Sequence, residues 1–491
     1  MKKIIFLPVA IAMSTMLFTG CSSEPENKTE TAKTDSTKTV LPAYFDSLKA
    51  PGQFLTISLQ PAPAFKLPAI HSFASAVYNG YWILIGGMKT GFHGTSNLPP
   101  PFPSSVANDS IWVISVADGR TWGVPVPAVY ANYLSVTNPA AFQNQQFLNF
   151  CGGYTRQSGA SKNFDCTSDR FFQINLANLI TYVQSGGASP SLDQVIPVVA
   201  QSPYVQVTGG EMFATNRWIY IVGGQNYNTT YSTGVTGLYT NAIRRFTLQS
   251  MGGVNFKVVD TASYMDPVNL HRRDFTLAPV VTTDGKASAV LYGGVFTKND
   301  MAYRNPVYIS GWETGAVSIR PDAAQLNFNQ YACAVLPMWV NSGNPTYLAF
   351  LGGISYQIYD PASKTIVTGD HGMPMPFSNV ISVVTTDGLS YSQEGVQIPP
   401  QQPLMPGYLG SNAQFFPLSQ YLDNTYTNMI NLIKVFPTAP TQPVVVGYMF
   451  GGIRSDGPTS GTTPHGHVNT YPNPVLYSVS IGPAPSMQNV K

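Results

Sequence analysis

The chain has 491 residues, a formal net charge of +2 and only 10% charged residues, well below the roughly 25% of an ordinary soluble domain. A near-neutral balance with no basic run in the body excludes a nucleic-acid partner, because holding phosphates takes clustered Lys and Arg. Gly, Pro, Tyr and Asn abound in place of charge, the composition of a compact extracytoplasmic β protein that stays soluble on neutral polar groups.

At the N-terminus, Lys2 and Lys3 precede an apolar stretch from Ile4 to Phe18, followed by Thr19, Gly20 and Cys21. The stretch is interrupted by Pro8 and is shorter than the about 20 apolar residues that cross a bilayer, so it reads as a removable export signal over residues 1–20. Leu17-Phe18-Thr19-Gly20-Cys21 resembles the lipobox of bacterial lipoproteins, with Phe18 where that family usually has Leu. The resemblance implies that Cys21 carries a diacylglycerol and anchors the chain in a membrane. Ser22 is not the Asp that in some bacteria retains lipoproteins at the inner membrane, which points to the cell envelope at the outer membrane. Residues 21–45 open on SSEPENKTETAKTDSTKTV, with almost nothing to bury, and form a flexible tether.

Residues 46–491 contain a repeat: an apolar run that ends in a glycine pair. The runs are Trp82-Ile83-Leu84-Ile85-Gly86-Gly87, Phe147 to Gly153, Trp218 to Gly224, Ala289 to Gly294, Tyr347 to Gly353 and Val446 to Gly452. Continuous β-branched and aromatic residues suit a strand buried on both faces. Paired glycines let its end take φ > 0 and approach a neighbouring backbone. These endings resemble the kelch repeat, which implies an all-β fold, a kelch-like β-propeller of four-stranded blades around a channel. Ile111-Trp112-Val113-Ile114 with Trp122, and Tyr359-Asp360-Pro361, are similar to the family's later signals.

The interval from Gly352 to Gly451 is too long for one blade. Within it Val383-Val384-Thr385-Thr386-Asp387-Gly388 repeats Val280 to Gly285, and Tyr391 and Glu394-Gly395 follow. Read as a degenerate repeat, this makes seven blades, closer to the ~50-residue kelch period; six blades with an insertion from Pro399 to Asn428 is the alternative. The terminal run Val475 to Ile481 lacks a successor and Phe54 to Leu59 lacks a home, so the two are expected to pair and close the ring.

In a kelch-like ring, the segments after each glycine pair emerge on one face and form the binding side. They carry His93, Arg156, Lys298, Arg304 and Arg454 among Asn, Thr, Tyr and Gly. His71 and Arg272 or Arg273, at the start of innermost strands, are placed near the channel mouth; the plainer reading pairs an Arg with Asp274 or with backbone carbonyls. His465-Gly466-His467 lacks a companion carboxylate or Cys at ligand spacing, so no metal site is assigned. No Tyr is followed directly by His, which sets the copper chemistry of galactose oxidases aside. Cys151 and Cys166 form a disulfide if the loop between them folds back, or remain two buried thiols; Cys333 reads as a small buried hydrophobe.

Familiar hydrolase and nucleotide-binding signatures are absent, so no catalytic residue and no cofactor are assigned. The expected function is a lipid-anchored, non-catalytic binding or scaffold module for glycans or envelope proteins, its other partner being the membrane through the anchor. The alternative is a sugar-active enzyme similar to the kelch-type sialic acid mutarotases, which need only a few polar groups at the channel mouth.

Overall fold

The computed structural model describes residues 55–483 apart from 63–64, 94–101, 103, 160–161, 232–236, 300, 370–374, 439, 459–461, 464–465 and 468. The signal segment 1–20, Cys21 and the tether 21–45 lie outside the described residues, as does His465. Every described residue belongs to one unit, Pro42–Lys491.

The strands with glycine-pair endings are each the second strand of a four-stranded antiparallel sheet, and such sheets follow one another along the chain. Blade one is Ala74–Tyr78, Tyr81–Ile85, Ser110–Ser115 and Thr121–Pro125. Blade two runs Thr137–Asn144, Phe147–Gly159, Arg170–Asn175 and Val198–Gln201, with Lys162–Thr167 as a hairpin partner of its second strand. Blade three is Glu211–Ala214, Ile219–Val222, Ala242–Gly252 and Asn255–Met265, and its outer strand meets that of blade two in parallel at Val199 and Asn255. Blade four is Arg273–Val281, Ala287–Val295, Val307–Ser310 and Ser318–Pro321; blade five is Ala334–Trp339, Thr346–Leu351, Ile381–Thr386 and Tyr391–Val396. Blade six joins Tyr408–Pro417, Val444–Ser455 and Tyr477–Pro483 to Leu55–Pro61 from the N-terminal side. The innermost strands surround one channel, and the core lies between adjacent blades, as where Ile83, Ile85, Leu148 and Phe172 pack together.

The glycine pairs fasten each blade to the next. A Cβ on Gly86 would sit 2.6 Å from the Val136 carbonyl of blade two, and one on Gly87 2.6 Å from the His71 carbonyl; both glycines have positive φ, at 72° and 96°. The second glycine of each pair donates its N–H to the approach of the following first strand: Gly87 to Val136 (2.7 Å), Gly153 to Val207 (2.8 Å), Gly224 to Arg272 (2.7 Å), Gly294 to Gln330 (2.6 Å) and Gly353 to Leu409 (2.7 Å). The bond from Gly452 returns to Ile70 of blade one, at 3.2 Å. The same contact therefore closes the circle at six blades.

The expectation of seven blades is corrected. Val383 to Gly388 is not a blade of its own: it ends the third strand of blade five and turns into the fourth, whereas Val280 to Gly285 turns from first strand to second in blade four. Both copies place Gly at φ +80° after an Asp, so one local turn chemistry serves two different hairpins. The long interval arises because the proposed insertion, Pro399 to Asn428, contains the first strand of blade six. The excursion itself spans 418–443 and adds Ile430–Asn431 in parallel to the inner strand of blade five.

Ring closure by the two termini is as the sequence suggests, with Leu59 opposite Val479 and Leu55 opposite Pro483. Cys151 and Cys166 are separate buried thiols, which corrects the disulfide reading. Cys166 is in register with Thr155, four residues along the strand from Cys151 and beyond the glycine pair. At about 3.3 Å per residue the two are roughly 13 Å apart along the strand, past the ~7 Å that a bridge between Cα atoms tolerates.

Candidate functional site at the channel neck

Where the first strands leave the loop face, their backbones join each other round the axis. Asn138 N–H donates to Ser72 (3.0 Å), Gly209 to Asn138 (3.1 Å), Asp274 to Gly209 (2.8 Å), Ala332 to Asp274 (2.8 Å) and Asn412 to Ala332 (2.8 Å). Ser72, Asn138, Asp274 and Asn412 hold φ between 49° and 56° here, and Gly209 64°. Asn, Asp and Gly tolerate this left-handed backbone best, which explains their recurrence at the neck. Gly209 has a second constraint, since a Cβ would lie 2.9 Å from Asp274 Oδ1.

Above the neck is a small chamber of about 40 Å³, room for about three water molecules. His71, Arg273, Asp274, Tyr331, Gln225 and Tyr227 line it. Interlocked rings roof it: His93 stacks on Phe92 at 5.3 Å, meets Phe102 at 4.5 Å and is edge-on to Tyr231 at 5.2 Å, while Tyr227 meets Tyr231 at 5.2 Å. The Tyr154 hydroxyl accepts the Tyr231 N–H at 2.7 Å, which ties this roof to blade two.

Asp274 organises the chamber. Its carboxylate accepts from Asn138 Nδ2 at 3.0 Å and from the Tyr331 hydroxyl, and faces Arg273 Nε at 3.8 Å. Gln225, with its amide oxygen turned inward, accepts from Arg273 Nη1 at 2.7 Å and from the Tyr227 hydroxyl at 3.0 Å. Burial raises the Asp274 carboxyl above its usual range, partly offset by Arg273 and Tyr331. For Arg273 burial opposes the charge, and Asp274 together with Tyr227, Tyr239 and Tyr331 outweighs it to raise the guanidinium. His71 is buried, with Nδ1 2.8 Å from Ser72 Oγ; burial first and His93 second push it down to about 4, so it is neutral at pH 7.

Below the neck the channel widens to about 590 Å³, within the ~300–1,000 Å³ of small-molecule sites. Exposed Gln145 and Asn216 stand at its far end. Glu211, on the first strand of blade three, lines it and is pushed up to about 8 by burial and by the charge of Asp274.

The candidates from the sequence divide accordingly. His71, His93 and Arg273 meet in the chamber. Arg272 does not reach it: fully buried, it donates to the Gly293 and Asn305 carbonyls at 3.0 Å and to Asn305 Oδ1 at 2.9 Å, over the Tyr303 ring. Arg304 donates to the Leu326 carbonyl at 2.7 Å and to Asn327, over Tyr356. Arg454 is exposed and lies over Tyr471, and Lys298 is exposed. Arg156 lies in a strand opposite Asp165. Among the described residues no group of three or more His, Cys, Asp or Glu could hold a metal ion. Sequence reasoning missed Glu211, Gln225, Tyr227, Tyr231 and Tyr331. Glu211 could have been found as a carboxylate opening an apolar strand in a chain poor in charge; Gln225, Tyr227 and Tyr231 share the one segment after Gly224, whose polar and aromatic composition is that of any loop, and Tyr331 reaches them from the approach to blade five.

The chain is an all-β propeller. No family model matches it, and no curated protein does. Among solved structures, "Structure of YjhT" is similar at 10% identity and a TM-score of 0.45, over 85% of this chain and 95% of that one.

Proposed function

We propose that the protein is a non-catalytic binding module of the cell envelope, anchored through a lipid on Cys21, that docks a glycan chain or an envelope protein on its loop face. One observation carries the reading: the channel mouth is roofed by interlocked aromatic rings over a chamber far too small for a sugar. Arg272 and Arg304, the cations that could have made a catalytic mouth, hold the propeller's own carbonyls instead. A fixed aromatic surface amid neutral hydrogen-bonding loops suits a ligand that lies across it.

The test is a glycan array together with in-cell crosslinking, run on the wild type and on Tyr231→Ala and Phe102→Ala. Binding that falls at least about tenfold in both variants, with the melting temperature kept, supports the reading; unchanged binding refutes it. Labelling with a radioactive fatty acid, lost in Cys21→Ala, tests the anchor.

One arrangement favours the alternative, a sugar-active enzyme similar to the kelch-type sialic acid mutarotases. The chamber sets a neutral His71 and a carboxylate with raised affinity for protons beside Arg273, the pairing of perturbed groups that active sites use. Exchange between sialic acid anomers, followed by NMR with and without the protein, distinguishes the two: acceleration removed by Arg273→Ala would establish the enzyme.

A further inference from the structure

We propose that the wide channel below the neck binds a small organic cation, an ammonium group on an apolar body, with its charge against Glu211. The charged side chains lining the channel are Glu211, Asp274 and Glu313, and no Lys, Arg or His is among the lining residues, although the chain has more basic than acidic residues. A low-dielectric cavity lined by one sign of charge concentrates the opposite sign.

The three carboxyls are not alike. Asp274 is compensated by Arg273, Asn138 and Tyr331 at the neck, and Glu313 is exposed. Glu211 is half-buried in the channel wall, and no described residue donates a hydrogen bond to it or pairs with it. At the same register in the other blades, two residues beyond the neck position, stand Ala74, Ala140, Thr276, Ala334 and Gln414. This carboxyl is thus the lone acid at its level of the channel.

A second feature says what kind of cation fits. Glu211 and Phe213 alternate onto one face of their strand, and Phe213 packs at 5.2 Å against Phe142 of blade two; Phe142, Phe213 and Phe415 all line the channel. A carboxylate beside aromatic faces suits an ammonium with an organic body, which gains cation–π attraction where a small hydrated metal ion would not be held. The volume also suits an organic molecule. Because Glu211 holds its proton at neutral pH, binding a permanent cation must release that proton.

The test uses benzyltrimethylammonium, whose charge does not vary with pH, and neutral benzyl alcohol, titrated by calorimetry into the full mature protein in detergent. Two buffers of different ionisation enthalpy count the protons released. The expected result is binding of the cation alone, with close to one proton released at pH 6.5 and affinity rising roughly tenfold or more from pH 6.5 to 8.5. Glu211→Gln should lose this binding and its pH dependence, while Glu313→Gln keeps both. Equal binding of the two probes, no binding of the cation, or binding without proton release would overturn the proposal. If Glu211→Gln does not fold, the wild-type proton count and the neutral probe decide alone. None of these outcomes depends on what docks at the loop face.

Discussion

Glu211 and His71 lie on opposite sides of the neck and give the fold opposite responses to pH. The folded state raises Glu211 to about 8 from its usual 4.5, so between those values the folded chain holds a proton that the unfolded chain has lost, and stability falls as pH rises. Glu394, raised to about 7 chiefly by burial, acts in the same sense. His71, lowered to about 4 from 6.5, works the other way, since its stabilising effect is lost as pH falls from 6.5 to 4. The opposing terms overlap below pH 6.5, which leaves a net fall between about 6.5 and 8. Melting temperatures across this window should decline in the wild type and decline less in Glu211→Gln, whose stability at pH 8 should exceed the wild type's. An equal slope in both would show that Glu211 does not carry the effect.

Among the elements, the fourth strand of blade six is the one borrowed from the far end of the chain. The Gln397 side chain, fully buried at the end of blade five, clips that strand by accepting from Ile57 N–H at 2.7 Å and donating to the Ile57 carbonyl at 2.8 Å. Gln397→Ala leaves two backbone groups without partners and should cost about 2–4 kcal/mol in denaturant unfolding. Removing residues up to 61 should do more, since it bares the edge of Tyr477–Pro483 and should make that strand the first site of proteolysis. A truncated chain as resistant as the intact one would rule out the N-terminal strand as a closing element. This pairing was legible in the sequence because each partner was an alternating apolar run without a neighbour. The blade count was not, because the Thr-Asp-Gly turn looks the same whichever two strands it joins.

For the molecule as a whole, the glycine pairs were the most informative signal, since their contacts lie at fixed places in every blade, whereas the later aromatic signals are patchy. The site was far less legible. His71 and Arg273 announced themselves as titratable residues at strand starts, but the plainer reading also held, with Arg272 on carbonyls and Arg273 on Asp274. Nothing in the local pattern around Tyr231 or Phe102 shows that they meet over the axis, because that contact exists only once the ring has closed.

The backbone bonds at the neck have one further consequence. All five run in the same rotational sense from blade two to blade six, so their peptide dipoles lie tangentially, head to tail, along five sides of a six-sided circuit. Dipoles in such a circuit largely cancel and leave little field along the axis, unlike the aligned dipoles of a helix. Above pH 8, where Glu211 gives up its proton, its charge is then felt undiluted in the channel, and Glu211→Gln should remove that charge without disturbing the circuit that holds the blades together.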